Sequence, residues 1–186
     1  MKKSKKYLWW SVGLLLFLLI LLIVYRVIRG RRGQANKLET LPEDERIQTA
    51  WEVINQNWTL DTPKEFIMAQ AMFETSKFTS NVFLENNNMF GMKLPKKRST
   101  LATGENLDHA TFKSLSDSVQ DLMKWFAYTG MPTTDTIQEY VLQLKKRGYF
   151  ATLYVTYEAG LKTMIEYMKI HELGPYKIGG SASASW

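Results

Sequence analysis

A long uncharged segment near the N-terminus is the feature that most constrains how this chain can fold. Residues 7–25 have the sequence YLWWSVGLLLFLLILLIVY and contain no charged side chain. As a helix, the segment would be about 28 Å long, close to the roughly 30 Å thickness of a bilayer's hydrocarbon core. Basic residues flank it on both sides, and aromatic rings lie at both of its ends. These features predict a transmembrane helix in an anchor of residues 1–29, contacting the lipid bilayer through residues 7–28.

Two other interpretations of this segment fit less well. A cleavable signal peptide has a shorter apolar region and a small-residue cleavage site, whereas here the run is followed by RVIRGRRG. A buried core helix is not normally flanked by basic residues on both sides. Because the two flanks carry equal numbers of basic side chains, the positive-inside rule gives no orientation.

The basic residues of the chain are concentrated in its first 33 residues. These hold 8 of the 24 Lys and Arg residues and no Asp or Glu, which leaves 16 basic and 18 acidic residues for the rest. The net charge of +6 therefore belongs to the anchor, and the remainder has a net charge of −2. Without a basic face to neutralise phosphates, nucleic acid is not predicted as a partner. The short run 96–98, Lys-Lys-Arg, is predicted to be a solvated loop tip.

The residue types that usually bind metals are scarce. The chain has no cysteine, which excludes disulfides, zinc–thiolate sites and thiol nucleophiles. Its two histidines, His109 and His171, are far apart in the sequence and do not indicate a metal site. Neither a metal nor another cofactor is predicted.

The rest of the chain is predicted to be mainly α-helical. Residues 30–41 are polar and aperiodic and form a tether, residues 42–174 form one domain, and residues 175–186 form a flexible tail. A first helix opens at Pro42, with acidic residues in its first turn. Three later amphipathic helices are indicated by apolar residues at helical spacing: Val119, Leu122, Met123 and Phe126; Ile137, Tyr140, Val141 and Leu144; Tyr157, Leu161, Met164, Ile165 and Met168.

The second helix of the domain is predicted to be central. It opens with a Thr-x-x-Glu capping box at residues 62–65, with Pro63 at the first helical position. Residues 66–73 are then apolar nearly all round, which is typical of a helix inside a core. Residues 80–106, which follow, are rich in Asn and Gly and are predicted to form loops with at most a short hairpin.

Glu74 ends this apolar helix and is the main candidate for chemistry. A carboxyl group there should be partly desolvated, which raises its pKa. A general acid for glycoside cleavage needs that property, because it must still carry its proton near neutral pH. On this pattern alone, a helix-end glutamate that points to water or pairs with Lys77 is an equal alternative.

Four blocks in this sequence resemble, in order, motifs of the family 73 glycoside hydrolases, which are lysozyme-superfamily glucosaminidases of bacterial autolysins, flagellar muramidases and phage lysins. Residues 69–80 (AQAMFETSKFTS) resemble Ala-Gln-Ala-x-x-Glu-Ser-x-x-x-x-Ser, and residues 87–93 (NNMFGMK) resemble Asn-Asn-Leu-Phe-Gly-Ile-Lys. Residues 110–119 resemble Phe-Arg-x-Tyr-x-Ser…Ser-Val, and residues 148–161 resemble Gly-Tyr-Ala-Thr-Asp-Pro-x-Tyr-Ala-x-Lys-Leu. Together the blocks cover roughly residues 45–170.

This resemblance implies a lysozyme-like α-helical domain with a short irregular or β-hairpin lobe, and it implies roles for particular residues. Glu74 would be the general acid, and the substrate-binding residues would be Asn88, Phe90 and Gly91 beside it, with Tyr149 and Tyr157 lining the sugar-binding floor. An Asn side chain can pair with an acetamido group. Core packing is the alternative for the aromatic residues, and a turn with positive φ for Gly91.

The chain departs from the family at two places. The second glutamate that the family usually places in the irregular lobe has only Glu105 as a close equivalent, with Asp108 as a fallback. Inversion needs a base about 6.5–9.5 Å from the acid, whereas some members of the superfamily work with one essential carboxylate. In the fourth block, Leu153-Tyr154 replaces Asp-Pro, so sugar contacts there would differ.

The sequence thus predicts a membrane-anchored peptidoglycan hydrolase of the endo-β-N-acetylglucosaminidase type, whose partner is the glycan strand; assembly partners are not predicted. The location of that substrate implies a cytoplasmic N-terminus and a domain on the periplasmic or extracellular side. A bacteriolytic phage protein in a virion membrane is the alternative location. A lytic transglycosylase using the same Glu74 and a catalytically degenerate glycan-binding or structural membrane protein are the alternative functions.

Overall fold

The computed structural model describes residues 17–23, 25 and 38–177, and the chain divides into two compact units, Met1–Leu38 and Glu39–Trp186. Residues 17–23 and 25 have helical backbone, and their apolar side chains are exposed. The remaining residues of the predicted anchor and residues 30–37 of the predicted tether lie outside the described ranges. Within those ranges, no helix has both the length and the apolar character needed to cross a membrane.

The second unit is mainly helical, as predicted. Its helices are α1 (Glu43–Asn57), α2 (Lys64–Glu74), α3 (Asn81–Asn86), α4 (Leu115–Thr129), α5 (Ile137–Lys146) and α6 (Tyr154–Ile170). Two short antiparallel strands, β1 (Gly104–Asn106) and β2 (His109–Thr111), pair between α3 and α4. A 3-10 turn over Gly174–Tyr176 follows α6, and the Tyr176 hydroxyl donates to Glu65. The predicted tail beyond residue 177 lies outside the described residues.

Helix α2 occupies the centre of this unit, which confirms the prediction from its all-round apolar sequence. Every residue from Phe66 to Met72 is buried. The helix packs against α6 and α1, while α4 packs on α1 and α5 on α6. Gln70 is the polar residue of this buried stretch, and its Oε1 accepts a hydrogen bond from the Tyr140 hydroxyl.

The predicted capping box at the start of α2 is wrong. Pro63 is the N-cap residue, and no side chain caps the helix. Thr62 is instead buried, and its carbonyl oxygen accepts a hydrogen bond of 3.0 Å from the Trp58 indole nitrogen. This local hydrogen bond engages the Thr62 carbonyl, and the Thr62 side chain makes no capping bond to α2.

The irregular lobe contains more structure than its sequence predicted. Residues 81–86 form α3, whose N-cap Ser80 accepts a hydrogen bond from the Phe83 backbone N–H. The helix ends after one and a half turns because Asn87 has left-handed backbone, with φ of 51°. The expected short hairpin is confirmed as β1 and β2. Leu107 and Asp108, which join them, both have positive φ, as a two-residue type I′ turn requires.

Candidate active site

Glu74 is the last residue of α2, and the chain turns sharply after it. Ser76, Lys77 and Phe78 all have left-handed backbone, with φ of 51°, 57° and 63°. The Thr75 side chain holds this turn: its hydroxyl donates to the Ala71 carbonyl (2.6 Å) and accepts from the Phe78 N–H (3.1 Å). The turn ends the helix at Glu74, whose side chain lines an open cleft.

Two neighbours contact the Glu74 carboxyl group directly. The Tyr157 hydroxyl donates to Oε1 at 2.5 Å. Gly91 lies against the other oxygen, since a Cβ atom at Gly91 would stand 3.3 Å from Oε2. Gly91 also has a φ of +60°, so a side chain there would be strained by the backbone as well as crowding the acid.

Burial raises the pKa of Glu74 above its ordinary value, as its position in the sequence predicted. The Tyr157 hydrogen bond opposes this shift by stabilising the carboxylate, and the charge of His109 opposes it further. Desolvation outweighs both, because the carboxyl group has lost most of its contact with water. Glu74 is therefore suited to keep a proton above the pH at which an exposed glutamate loses it.

Tyr157 is fixed between two aromatic rings. It stacks on Phe150 with a centroid distance of 3.8 Å, and its ring meets Phe73 edge to face at 5.2 Å. Tyr157 is only 2% exposed and is not among the residues lining the cleft. The structure thus encloses the Tyr157 ring and bonds its hydroxyl group to the acid, and its place in the sugar-binding floor stays a prediction.

Asn88 organises the loop beside Glu74 from within. Its Nδ2 donates to the carbonyls of Met92 (2.8 Å) and Ala110 (2.9 Å), and its Oδ1 accepts from the N–H groups of Phe90 (3.3 Å) and Met92 (3.1 Å). The side chain is completely buried. Both ends of the Asn88 amide thus tie residues 88–92 to each other and to β2, and a contact of Asn88 with a sugar stays a prediction.

Phe90 and Tyr149 join this loop to the helices. Phe90 is 1% exposed, and its carbonyl oxygen accepts a 2.7 Å hydrogen bond from the Tyr149 hydroxyl. Tyr149 is half-buried and meets the Trp125 ring edge to face at 5.0 Å. Both Tyr149 and Trp125 line the cleft. Tyr149 thus lies at the cleft, and Phe90 also lines the cleft although its side chain is buried; their contacts with a sugar stay predictions.

The cleft has a volume of about 490 Å³ and combines one acid with aromatic and basic side chains. Its lining comes from Glu74, residues 90–95, Arg98, Trp125 of α4 and residues 148–150. Glu74 is the sole carboxylate among the lining residues. No cluster of three or more His, Asp or Glu side chains in the described part of the chain could hold a metal ion.

Arg98 is not part of a solvated loop tip, contrary to the prediction. Its guanidinium group donates to both carboxylate oxygens of Asp121, at 3.2 and 2.7 Å, and the two side chains are 6% and 0% exposed. Asp121 also accepts hydrogen bonds from Thr100 and from the backbone of Leu101, each of 2.8 Å. This buried ion pair fastens the loop 93–101, one side of the cleft, to α4. Its neighbours in the run, Lys96 and Lys97, are exposed as predicted.

The hairpin does not bring the predicted second carboxylate into the cleft. Glu105 is exposed on β1 opposite Ala110, and Asp108 is exposed in the turn; neither lines the cleft. His109, on β2, is the hairpin residue whose charge acts on Glu74. Its Nδ1 lies 2.6 Å from the Leu107 carbonyl oxygen.

Sequence reasoning missed three residues of the cleft: Lys93, Arg98 and Trp125. Trp125 lies next to the apolar stripe of α4 and is half-buried. The only sequence feature that pointed to it was a large aromatic residue beside that stripe. Arg98 stood in a run that looked solvated, and Lys93 is the last residue of the block 87–93.

A family model described as "Mannosyl-glycoprotein endo-beta-N-acetylglucosaminidase" (Glucosaminidase) matches residues 51–170, more than half of the chain. The chain belongs to the glucosaminidase family. This confirms the resemblance of the four sequence blocks and the prediction of a glycoside hydrolase acting on peptidoglycan.

One solved structure shares the fold of this glucosaminidase. It is described as "Structure of a type VI secretion system effector-immunity complex from Pseudomonas protegens", and its chain aligns with a TM-score of 0.50 and 19% sequence identity. The alignment covers 74% of this chain and 92% of that chain. At this identity the likeness concerns the fold alone. A search of curated proteins gave no match.

Proposed function

We propose that this glucosaminidase is an endo-β-N-acetylglucosaminidase that cleaves the glycan strand of peptidoglycan with Glu74 as the general acid. The observation that carries the proposal is the burial of the Glu74 carboxyl group at the edge of an open cleft, which raises its pKa. A protonated carboxyl group facing a groove is what departure of a sugar oxygen requires.

In the proposed step, Glu74 transfers its proton to the glycosidic oxygen as the bond from that oxygen to the anomeric carbon breaks. A water molecule then adds to the anomeric carbon and loses a proton to solvent. The Glu74 carboxylate takes up a proton from solvent, which restores the acid. The Tyr157 hydrogen bond to Oε1 fixes the carboxyl group. Gly91, which has no side chain, leaves room beside Oε2. We propose Trp125 and Tyr149 as the aromatic surface on which a sugar ring stacks.

Zymography on purified sacculi tests the role of Glu74. We expect Glu74→Gln to lower the rate of cleavage about 10²- to 10⁴-fold, the usual contribution of a general acid. Glu85→Gln, which changes an exposed carboxylate near the hairpin, is the matched control and should cleave like the wild type. Equal activity of the wild type and Glu74→Gln would remove Glu74 from the mechanism.

Glu105→Gln in the same assay tests the second carboxylate suggested by the family. Because Glu105 is exposed and does not line the cleft, we expect a loss of less than about tenfold, far below that of a catalytic carboxylate. A loss as large as that of Glu74→Gln would mean that the hairpin moves towards the cleft during the reaction.

A lytic transglycosylase is the second candidate, and the single carboxylate of the cleft lining favours it. Such an enzyme uses the same proton transfer, but a hydroxyl group of the substrate replaces water, which gives an anhydro sugar. Mass spectrometry of digested sacculi separates the two reactions. Products with reducing-end N-acetylglucosamine support the glucosaminidase, and anhydro-N-acetylmuramic acid products support the transglycosylase.

Membrane anchoring is the remaining part of the proposal. Its support is the uncharged run of residues 7–25 and the basic residues on both sides. We propose that the N-terminus is cytoplasmic and that the domain lies on the periplasmic or extracellular side, with a virion membrane as the alternative. The full chain should stay with membranes after carbonate extraction, and a variant without residues 1–29 should be released. Release of the full chain would contradict the anchor.

A further inference from the structure

The loop that forms one side of the cleft carries three basic side chains that no acidic residue neutralises. Lys93 lines the cleft, and Lys96 and Lys97 follow on the same loop; all three are exposed. None of them takes part in an ion pair within the described part of the chain. Residues 93–101 contain no Asp or Glu. We refer to Lys93, Lys96 and Lys97 as the lysine lip.

The lysine lip stands on a rigid support. The fourth basic residue of the loop, Arg98, is buried and neutralised by Asp121, which also binds Thr100 and the Leu101 N–H. The charge of the lip is therefore not shared with Asp121, and the backbone that carries it is held against α4. An anchored backbone reduces the conformational entropy that the loop loses when its lysine side chains bind an anion.

The positive charge of the lip is local and contrasts with the rest of the domain. The residues after position 33 have a net charge of −2, and Glu74 is the sole acid among the residues lining the cleft. Such an arrangement attracts anions to one side of the cleft and not to the domain as a whole. A groove for a linear glycan must also place the peptide substituents of that glycan outside the sugar-binding floor.

We infer that the lysine lip binds the carboxylates of the peptide stems attached to the glycan, so that the enzyme prefers strands with acidic stems. This inference rests on the proposed function, because it assigns a substrate class to the same cleft. Each exposed lysine–carboxylate contact is weak and is screened by salt. Three together should give a preference of about three- to tenfold at low ionic strength, which disappears near 1 M salt.

The test compares soluble glycan strands of three kinds with the full chain. The first keeps the stem carboxylates, the second has them converted to amides, and the third has the stems removed, so that it carries lactyl carboxylates instead. We expect the ratio of kcat/KM for acidic over amidated strands to be about three to ten for the wild type. Stem-free strands should behave like amidated ones.

A triple variant, Lys93→Gln with Lys96→Gln and Lys97→Gln, should bring that ratio close to one. The matched control replaces three exposed lysines that do not line the cleft, Lys113, Lys146 and Lys177, by Gln and should keep the wild-type ratio. A wild-type ratio of one, or a ratio unchanged in the triple variant, would overturn the inference. Equal rates on stem-free and acidic strands would assign the lip to lactyl carboxylates and overturn the stem assignment.

Binding measured by calorimetry separates this inference from the proposed function. The full chain should bind acidic strands more tightly than amidated strands, and the triple lysine variant should bind both equally. If binding follows this pattern while no strand is cleaved, the proposed hydrolysis is contradicted and the inference about the lysine lip is supported. If strands are cleaved without any preference in binding, the inference about the lysine lip is contradicted and the proposed hydrolysis is supported.

Discussion

The two sides of the site around Glu74 are built by different interactions. The helical wall, formed by Phe73, Phe150, Tyr157 and Gly160, is aromatic and closely packed. The loop wall, residues 88–101, is held by the amide of Asn88 and by the ion pair of Arg98 with Asp121. The helical wall holds the Glu74 carboxyl group through the Tyr157 hydroxyl, whereas the loop wall fixes the shape of the cleft. Changes in the two walls should therefore have different consequences.

The largest effect on stability is expected in the loop wall. Asp121→Ala should lower the free energy of unfolding by about 3–5 kcal/mol, because it leaves the Arg98 guanidinium buried without a partner. The loop would also loosen, so KM should rise. Urea denaturation and steady-state kinetics measure the two effects.

A double variant provides the control for this ion pair. Replacing both partners, as Arg98→Met with Asp121→Leu, should recover most of the lost stability, because no buried charge is left unpaired. A loss below about 1 kcal/mol in Asp121→Ala would show that the ion pair does not hold the loop wall.

In the helical wall, Gly160→Ala distinguishes packing from helix propensity. Propensity alone would stabilise α6 by about 1 kcal/mol. A Cβ atom at Gly160 would, however, stand 2.3 Å from the Phe73 ring, so the ring must move against Tyr157. We expect a net loss of about 1–3 kcal/mol in thermal or urea unfolding.

Adding Phe73→Leu to Gly160→Ala should remove part of that loss, since the smaller side chain makes room for the methyl group. If Gly160→Ala alone stabilises the protein, the helical wall is not closely packed and the contrast between the walls fails.

The burial of the Glu74 carboxyl group should make the stability of the protein depend on pH. Because the folded state raises the pKa of Glu74, it holds the proton more tightly than the unfolded state. Stability therefore falls as pH rises from the ordinary value near 4.3 through the raised pKa, by about 1.4 kcal/mol for each unit of the shift. The Glu74→Gln variant should not lose stability in this way, because its side chain does not titrate.

We expect the gain in Tm of Glu74→Gln over the wild type to be larger at pH 8 than at pH 4. Glu85→Gln, at an exposed position, is the matched control in the same melting experiments. A difference between Glu74→Gln and the wild type that does not change with pH would contradict the raised pKa.

The smallest expected effect is a shift in the pH profile of Tyr157→Phe. The Tyr157 hydroxyl lowers the pKa of Glu74 by stabilising the carboxylate. Its removal should raise that pKa further and move the alkaline limb of kcat/KM to higher pH. Tyr149→Phe removes a hydroxyl group that binds the Phe90 carbonyl instead, and the limb should stay in place. A limb that moves downward in Tyr157→Phe would contradict the role of this hydrogen bond.

The sequence predicted most of the helical part of the domain, because amphipathic periodicity is a local property that burial then satisfies. The apolar run of residues 66–72 was placed correctly in the core, and the raised pKa of Glu74 followed from its position at the end of that run. The resemblance to the glucosaminidase family was also readable from short motifs. The capping box at Thr62 failed because α2 begins one residue later than predicted, with Pro63 as the N-cap residue.

What the sequence determined by itself is the helical framework and the candidate acid at the end of its central helix. Only the tertiary structure decided the partners of that acid. Tyr157 and Asn88 looked like sugar-binding residues, but folding turns their polar groups to Glu74 and to the loop backbone. Arg98 looked solvated, but it is buried against Asp121. The physical reason is that hydrogen-bond partners are set by contacts distant in the chain, which local patterns of hydrophobicity do not encode.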